Sequence, residues 1–215
     1  MPCDDGKIEV TRNGPYLVSG GVPLSDGSIK TDVLGKAIGW KKGEPYGPAG
    51  AYALCRCGMS GEKPFCDGSH AVGFDGTETA HMGPFEEGAG VVRSANGVDL
   101  LQDPRLCTGS GFCHGRDDVG RTMSKEKTLG VAKAQCADCA GGSLTLRIGG
   151  ELSEEELPRE ILVTTASGRT GPLRVTGGIP VSSQDRGDYA DRNRVALCRC
   201  GKSRNKPFCD GAHLR

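Results

Sequence analysis

The chain contains one cysteine-rich sequence twice, and this repeat limits the possible folds more than any other feature. Residues 54–70 read LCRCGMSGEKPFCDGSH and residues 197–213 read LCRCGKSRNKPFCDGAH, with 13 of 17 positions identical. Upstream, residues 12–25 (RNGPYLVSGGVPLS) match residues 169–182 (RTGPLRVTGGIPVS) at 8 of 14 positions. One module therefore occurs twice, with a different segment between the copies.

The two copies differ in length. Their offset is 157 residues in the upstream match and 143 in the cysteine-rich match, so the first copy carries about fourteen extra residues within 26–54. Each copy has short β-prone runs before and after a Gly-Gly pair, and a further strand that leads into the cysteine-rich loop. A module this small cannot bury its own apolar face, so we expect the copies to pair about a pseudo-two-fold axis.

Composition indicates that this chain needs more than an apolar core. Aromatic residues make up 5% of the 215 residues, while the chain has 35 glycines and 11 cysteines. Small domains with few core residues often depend on metals or cross-links. We divide the chain into residues 1–80 (first module), 81–150 (middle segment) and 151–215 (second module). The predicted class is α+β.

Charge and hydropathy exclude some functions. The formal net charge is zero, which argues against a nucleic-acid partner, and no apolar run is long enough to cross a bilayer. The start of the sequence shows no export signal. An odd cysteine count without such a signal favours a reducing, cytoplasmic setting, where thiolates act as ligands rather than as disulfides.

The repeated motif has the ligand spacing C-x-C-x8-C-x3-H. The candidate ligands are Cys55, Cys57, Cys66 and His70 in the first copy, and Cys198, Cys200, Cys209 and His213 in the second. Three thiolates and one imidazole suit zinc or an iron–sulfur cluster equally well by ligand chemistry alone. The close C-x-C step favours two thiolates on one iron, with the Cys and His four residues apart on the other.

Both copies resemble the CDGSH iron–sulfur domain family, whose pattern is C-x-C-x2-[ST]-x3-P-x-C-D-G-[SAT]-H. The resemblance implies one [2Fe–2S] cluster per module, an all-β cap fold, and a dimer-like pairing within one chain. Four positions of the pattern are expected to bind the cofactor, namely Ser60, Asp67, Ser203 and Asp210. Lys63 and Lys206, each just before the proline, are predicted to lie near the cluster edge and tune it, and are equally well interpreted as surface residues. The aspartates are good N-cap residues for a short helix that carries each histidine.

The histidine ligand has a chemical consequence. A neutral imidazole in place of a thiolate makes the cluster less negative and raises its potential relative to plant-type ferredoxins. Because imidazole can be protonated near neutral pH, acid is expected to release the cluster.

The middle segment predicts a small α+β arrangement. Residues 91–94 and 98–101 around Asn96-Gly97 predict a β-hairpin with a type I′ turn. Ser124 is predicted to cap a helix that runs to about Ala134, and residues 144–148 predict a strand.

The middle segment also holds candidate ligands, namely Cys107, Cys113, Cys136, Cys139 and His114. The run CTGSGFC at 107–113 has Ser110 where a bacterial ferredoxin has a cysteine, and CAGGSL at 139–144 is similar to the ferredoxin CPSGAL without its proline. The segment thus resembles divergent single-cluster ferredoxins. Cys107, Cys113 and Cys139 alone would favour [3Fe–4S], and Cys136 is either a fourth ligand for [4Fe–4S] or a bystander. Zinc or an empty site are the alternatives.

Two further residues are assigned no ligand role. We expect Cys3 to be a free thiol and His81 to lie on the surface.

These residues indicate an electron carrier with two [2Fe–2S] clusters and a third, [3Fe–4S] or [4Fe–4S], in the middle segment. Cluster transfer or redox and pH sensing is one alternative, and a structural zinc protein that binds partners is another. An enzyme is not expected, because no nucleophile–base pair, phosphate loop or dinucleotide motif is visible. The expected partner is a redox protein or an apo-acceptor protein, without nucleic acid or membrane. We expect a monomer with an internal pseudo-dimer.

Overall fold

A computed structural model of the chain describes residues 6–47, 50–166 and 169–215. Cys3 lies outside the described residues. The described part of the chain is a mixed α+β structure made mostly of sheet, with few and short helices. The α+β class predicted from the sequence is therefore confirmed.

The first five-stranded sheet is built around the N-terminal strands. Its strands are β1 (Lys7–Val10), β2 (Tyr16–Ser19), β5 (Tyr52–Leu54), β12 (Val181–Ser183) and β13 (Gly187–Asp188). Their order is β13-β12-β1-β2-β5. Side chains alternate along β2, where Tyr16 and Val18 are buried and Leu17 is 42% exposed, as expected for a strand with one face on a core.

The second five-stranded sheet contains the longer strands. They are β3 (Leu24–Thr31), β4 (Ala37–Pro45), β10 (Glu160–Ala166), β11 (Arg169–Thr176) and β14 (Arg194–Leu197). Their order is β14-β11-β10-β3-β4.

Each of these sheets takes strands from both copies of the repeat. β1 pairs in parallel with β12, with Ile8 opposite Val181. β3 pairs in parallel with β10, with Leu24 opposite Ile161. In each copy, therefore, the strand that follows the Gly-Gly pair joins the sheet of the other copy.

One hydrophobic cluster connects the two sheets. Among its fully buried members, Ile8, Tyr16 and Leu54 come from the first copy, while Ile161 and Leu197 come from the second. Burial of such side chains is the main favourable term in folding, at about 1.5–3 kcal/mol each. Neither copy could retain this core alone.

The extra residues of the first copy extend a hairpin. β3 and β4 pair over most of their length, from Ser25 opposite Pro45 to Thr31 opposite Ala37. The corresponding pair in the second copy, β12 and β13, has two residues opposite two. The longer hairpin carries Trp40 to the middle segment, where its indole N–H donates to the Asp138 carbonyl at 2.9 Å.

The middle segment forms a sheet with helices packed against it. Its strands are β6 (Gly90–Ala95), β7 (Val98–Gln102), β8 (Leu144–Ile148) and β9 (Glu151–Ser153), in that order across the sheet. The helices are α1 (Phe85–Gly88), α2 (Val119–Thr122) and α3 (Leu129–Asp138). The predicted strand at 144–148 is confirmed. So is the type I′ turn, because Asn96 and Gly97 have φ of 52° and 76°.

Two helix predictions need correction. The helix expected from Ser124 to Ala134 begins at Leu129 and ends at Asp138, because the Ser124 hydroxyl donates to the Gly120 carbonyl instead of capping a new helix. The helix expected to carry each histidine is only a three-residue 3-10 turn, Ser69–Ala71 or Ala212–Leu214.

Within the described ranges, no helix has both the length and the apolar character needed to cross a bilayer.

Candidate metal centre

The two cysteine-rich loops are closed by the same backbone hydrogen bonds. At the end of β5, the Cys55 N–H donates to the Pro64 carbonyl at 2.8 Å, and the Cys66 N–H donates to the Ala53 carbonyl at 2.9 Å. At the end of β14, Cys198 donates to Pro207 at 2.8 Å and Cys209 donates to Ala196 at 2.7 Å. In each loop, these bonds hold the first and third cysteines of the motif beside the end of the strand.

The four candidate ligands of each loop form two pairs. In the first module the Cys55 and Cys57 sulfurs are 3.7 Å apart, and the Cys66 sulfur is 3.3 Å from Nδ1 of His70. In the second module the corresponding distances are 3.8 Å, between Cys198 and Cys200, and 3.4 Å, between Cys209 and His213. Two sulfurs about 2.3 Å from one tetrahedral metal lie about 3.7 Å apart, and a nitrogen donor shortens that edge.

No three or more Cys, His, Asp or Glu side chains converge on a point suited to a single metal ion within the described part of the chain. Each pair offers two donors at the spacing of one metal position. Two such positions in each loop fit the donor set of a two-iron cluster.

The predicted cofactor-binding serines and aspartates form hydrogen bonds within the loops. The Ser60 hydroxyl donates to the Phe65 carbonyl at 2.7 Å and accepts from the Glu62 N–H, and Ser203 does the same with Phe208 at 2.6 Å and Asn205. The Asp67 carboxylate accepts the N–H groups of Gly61 and Ser69. Asp210 accepts those of Arg204 and Ala212. These hydrogen bonds, first that from Ser69, hold the pKa of Asp67 below its usual range.

The two lysines differ in their surroundings. Lys63 is exposed, whereas Lys206 is partly buried and its carbonyl accepts the N–H groups of Thr79 and Ala80. Those backbone bonds attach the end of the first module's range to the second loop.

Backbone N–H groups point at three of the sulfurs. Met59 donates to Cys57 at 3.4 Å, Gly68 to Cys66 at 3.5 Å and Gly211 to Cys209 at 3.4 Å. Such bonds favour the thiolate and tune the potential of a bound cluster.

Burial acts in the opposite direction. It raises the pKa of Cys57 and raises the pKa of Cys209 to about 12. The hydrogen bond with Cys198, followed by burial, raises the pKa of Cys200. Without metal these thiols hold their protons at neutral pH, so metal binding must release protons. Burial lowers the pKa of His213, which keeps its imidazole neutral and able to coordinate.

The two loops touch each other. A Cβ added to Gly58 would lie 2.8 Å from the Cys200 carbonyl oxygen, and one added to Gly201 would meet the Cys57 carbonyl. Only glycine allows this approach, and both residues have positive φ, 81° and 74°. The two ligand sets therefore lie back to back across one backbone contact.

Residues that sequence reasoning missed also connect the modules. The buried Tyr16 hydroxyl, from the first copy, donates to the Cys198 carbonyl at 2.8 Å, with the Pro207 carbonyl at 3.0 Å. Arg56 and Arg199, each between two ligand cysteines, are buried and donate to backbone carbonyls, such as that of Thr11 for Arg56. Their identical position in both copies was a signal that could have found them.

Cys136 and Cys139 lie in the core of the middle segment, Cys113 is half-buried against that core, and Cys107 is exposed. Burial, followed by the nearby thiols of Cys139 and Cys107, raises the pKa of Cys113. The fold thus brings the three predicted ligands to one region. Burial also raises the pKa of Cys136 to about 12, and its position near Cys139 and Cys113 leaves both of its predicted roles open.

The other candidate histidines lie apart. His114 is exposed and contacts Asp118 at 3.3 Å. His81 is exposed and contacts Glu87 at 2.8 Å, which confirms its surface position.

Comparison with known proteins assigns the two modules. Residues 13–71 and 170–214 match the family described as iron-binding zinc finger CDGSH type. No curated protein and no solved structure matches the chain. The matched ranges include all eight candidate ligands of the two loops. Residues 13–71 and 170–214 are therefore two CDGSH modules in tandem, each matched by the model of this iron-binding family.

Proposed function

We propose that each CDGSH module binds one [2Fe–2S] cluster and that the protein acts as a one-electron carrier. In the first module Cys55 and Cys57 would hold one iron, while Cys66 and His70 would hold the other. In the second, the pairs would be Cys198 with Cys200 and Cys209 with His213. The observation that carries this proposal is the division of each ligand set into two pairs, at 3.7 and 3.3 Å and at 3.8 and 3.4 Å.

A bound two-iron cluster would supply a one-electron couple. The chain's own groups set its environment. One imidazole per site lowers the total negative charge, and N–H donors from Met59, Gly68 and Gly211 reach the sulfurs. Both features favour the reduced state, which carries the extra electron.

We place a third cluster in the ferredoxin-like middle segment, held by Cys107, Cys113 and Cys139. The effect of Cys139 and Cys107 on the pKa of Cys113 supports this grouping. If Cys136 is a fourth ligand the cluster would be [4Fe–4S], and otherwise [3Fe–4S].

The two CDGSH modules would form an internal pseudo-two-fold dimer within a monomer. The exchanged strands support this arrangement, because β1–β12 and β3–β10 are equivalent pairs. The contact of Gly58 with Cys200 and of Gly201 with Cys57 is reciprocal in the same way.

Cluster transfer is the second candidate, and the exposure of the first loop favours it. Asp67 and Gly68 are exposed and Cys66 is half-buried, so an apo-acceptor protein could approach the ligands. A structural zinc protein is the third candidate, and the division of each ligand set into two pairs argues against it. We propose a carrier rather than an enzyme. All ten described cysteines are free thiols, which suits action in the reducing cytoplasm.

The test is the iron, sulfide and zinc content of anaerobically purified protein, followed by a redox titration of its visible and EPR spectra. About four irons and four sulfides per chain would support two [2Fe–2S] clusters, and about seven or eight irons would add the middle cluster. A reversible one-electron wave would support the carrier. Colourless protein with stoichiometric zinc would refute the proposal.

A further inference from the structure

The two CDGSH sites have the same ligands but different surroundings, because the middle segment packs against only one of them. We infer that residues 105–109, here called the lid, seal the second site, so that outside molecules exchange with the protein at the first site. This inference rests on the two sites being metal-binding sites, as proposed above. It depends on three pairs of equivalent positions in the two loops.

The first pair is the glycine of the CDG sequence. A Cβ added to Gly211 would lie 3.0 Å from the Cys107 carbonyl oxygen, so the lid backbone rests directly on the second loop. The equivalent Gly68 has no atom within 4 Å of that point. Gly211 lies between the ligands Cys209 and His213, so the lid covers the middle of the Cys-His turn.

The second pair is Asn205 and Glu62. The Asn205 side-chain amide donates to the Arg105 carbonyl at 3.0 Å, and Asn205 is buried. Glu62, at the equivalent position of the first loop, is exposed. A carboxylate cannot donate to a carbonyl, so the second loop has the side chain that the lid requires and the first loop does not.

The third pair is Leu214 and Ala71, each directly after the histidine ligand. A Cβ added to Gly109 would lie 2.5 Å from Cδ1 of Leu214, so the leucine packs over the end of the lid. Ala71 is exposed and is too short to make such a contact.

Little space remains between the lid and the second site. The cavity lined by Thr108, Gly109, Trp40 and His213 has a volume of about 20 Å³, which is room for about one water molecule. Cys209 is 2% exposed. At the first site Cys66 is half-buried, and Val72, two residues after His70, is 82% exposed.

This difference separates two roles within one chain. Molecules in solution, whether a chelator, a thiol acceptor or a redox protein, meet the ligands Cys66 and His70 at the first site. At the second site they meet the lid. The lid carries Cys107, so the covered site faces the middle segment instead of solvent.

The experiment measures access to each site by alkylation. The metal-loaded protein is treated at constant pH with bathophenanthroline disulfonate, a bulky iron chelator, in the presence of iodoacetamide, and alkylated cysteines are assigned by peptide mapping over time. We expect Cys66, of the first set (Cys55, Cys57 and Cys66), to be alkylated about tenfold faster than Cys209, of the second set (Cys198, Cys200 and Cys209). The lid covers the turn that holds Cys209, so its alkylation requires local opening. Equal rates, or the reverse order, would overturn the inference.

Reciprocal substitutions test the lid contact. Asn205→Glu removes the donor to the Arg105 carbonyl and should speed alkylation of the second set by threefold or more. The increase should reach about tenfold if the lid no longer limits access. Glu62→Asn is the reverse substitution at the uncovered first loop. It should leave the alkylation rate of the first set within about twofold of the wild-type rate. An unchanged second set in Asn205→Glu would refute the role of the lid.

A second variant covers the case in which Asn205→Glu does not fold. Gly109→Ala places a Cβ against Leu214 at a φ of +74°, whereas the control Gly111→Ala has a φ of +82° but nothing within 4 Å. Only Gly109→Ala should speed alkylation of the second set. Iodoacetamide labelling also works on zinc-loaded or metal-free protein. The difference in labelling rate therefore tests the lid even if the metal analysis refutes the iron–sulfur proposal.

Discussion

At the residue scale, the Tyr16 hydroxyl connects the two modules more directly than any ligand. It is fully buried and lies within hydrogen-bond distance of two carbonyls of the second loop, at 2.8 and 3.0 Å. The equivalent residue in the second copy is Leu173, whose side chain has no polar atom. Tyr16 therefore braces the second loop with a hydrogen bond that Leu173 cannot make to the first.

We expect Tyr16→Phe to lower the free energy of unfolding by about 1–3 kcal/mol, because the buried Cys198 carbonyl would lose the hydroxyl donor. The Pro207 carbonyl would still accept the Cys198 N–H. Urea denaturation would measure the loss. Tyr52→Phe is the matched control, since its hydroxyl donates to the Val22 carbonyl at 2.8 Å from a half-buried position and should cost less. An equal loss in both variants would contradict the bracing role.

At the element scale, the inserted hairpin β3–β4 fastens the middle segment to the rest of the molecule. Trp40 on β4 donates to Asp138, its ring lies 5.4 Å from that of Phe112, and the Arg174 guanidinium lies 5.1 Å above it. The hairpin thus contacts helix α3, the Cys-rich middle loop and strand β11 with one side chain. The extra residues of the first copy thus lengthen the hairpin that contacts the middle segment.

We expect Trp40→Ala to cost about 2–4 kcal/mol, below the full range for a buried tryptophan because Trp40 is only half-buried. Trp40→Phe keeps most of the packing, loses the indole donor, and should cost about 1 kcal/mol. Denaturation followed by far-UV circular dichroism would measure both losses. If the alanine variant were as stable as the wild type, the hairpin would not fasten the middle segment.

The elements that were predicted correctly are those specified by neighbouring residues. The Asn96-Gly97 turn and the strand at 144–148 depend on turn chemistry and on a run of β-formers. The helix at Leu129–Asp138 was placed too early because Ser124 is a good cap in isolation, yet here it bonds backward to Gly120. The ligand motifs were recognisable because their spacing repeats. The lid was not, because a single Glu-to-Asn difference inside the motif has meaning only once Arg105 lies beside it.

At the scale of the whole molecule, neither module is a separate unit. Each five-stranded sheet takes strands from both copies, and the buried cluster contains Ile8 and Leu54 together with Ile161 and Leu197. The boundaries predicted from the sequence assign each ligand set to one module. The same boundaries separate strands that pair with each other in both sheets.

We expect fragments 1–80 and 151–215, expressed separately, to be unfolded as monomers and to bind no iron, because each lacks two strands of its sheet. Any folded population of one fragment should be a dimer in which the second copy supplies the missing strands. Circular dichroism, iron content and sedimentation would measure this. A folded monomeric fragment would contradict the interdependence of the modules, and recovery of iron binding on mixing would support it.

All four tyrosines share one response to alkaline pH. Burial raises the pKa of Tyr46 to about 12 and raises the pKa of Tyr16, Tyr52 and Tyr189 above their usual value. The folded state therefore keeps protons that the unfolded state loses near pH 10, so stability should fall as pH rises from about 10 towards the folded pKa values. A titration of absorbance at 295 nm should show no tyrosinate near pH 10 before unfolding. One tyrosine that ionises there in the folded protein would contradict the burial of that ring.

The exchange of strands has a consequence for how the protein is made. Leu24 pairs with Ile161, so β3 leaves the ribosome long before its partner strand has been synthesised. During that interval β3 and β1 present unpaired edges, which favour association with other nascent chains. The first cysteine-rich loop likewise packs against Cys200, which is synthesised near the end of the chain. We therefore expect ligand loading to follow release of the completed chain, and a chaperone that shields open strand edges to raise the yield of folded protein.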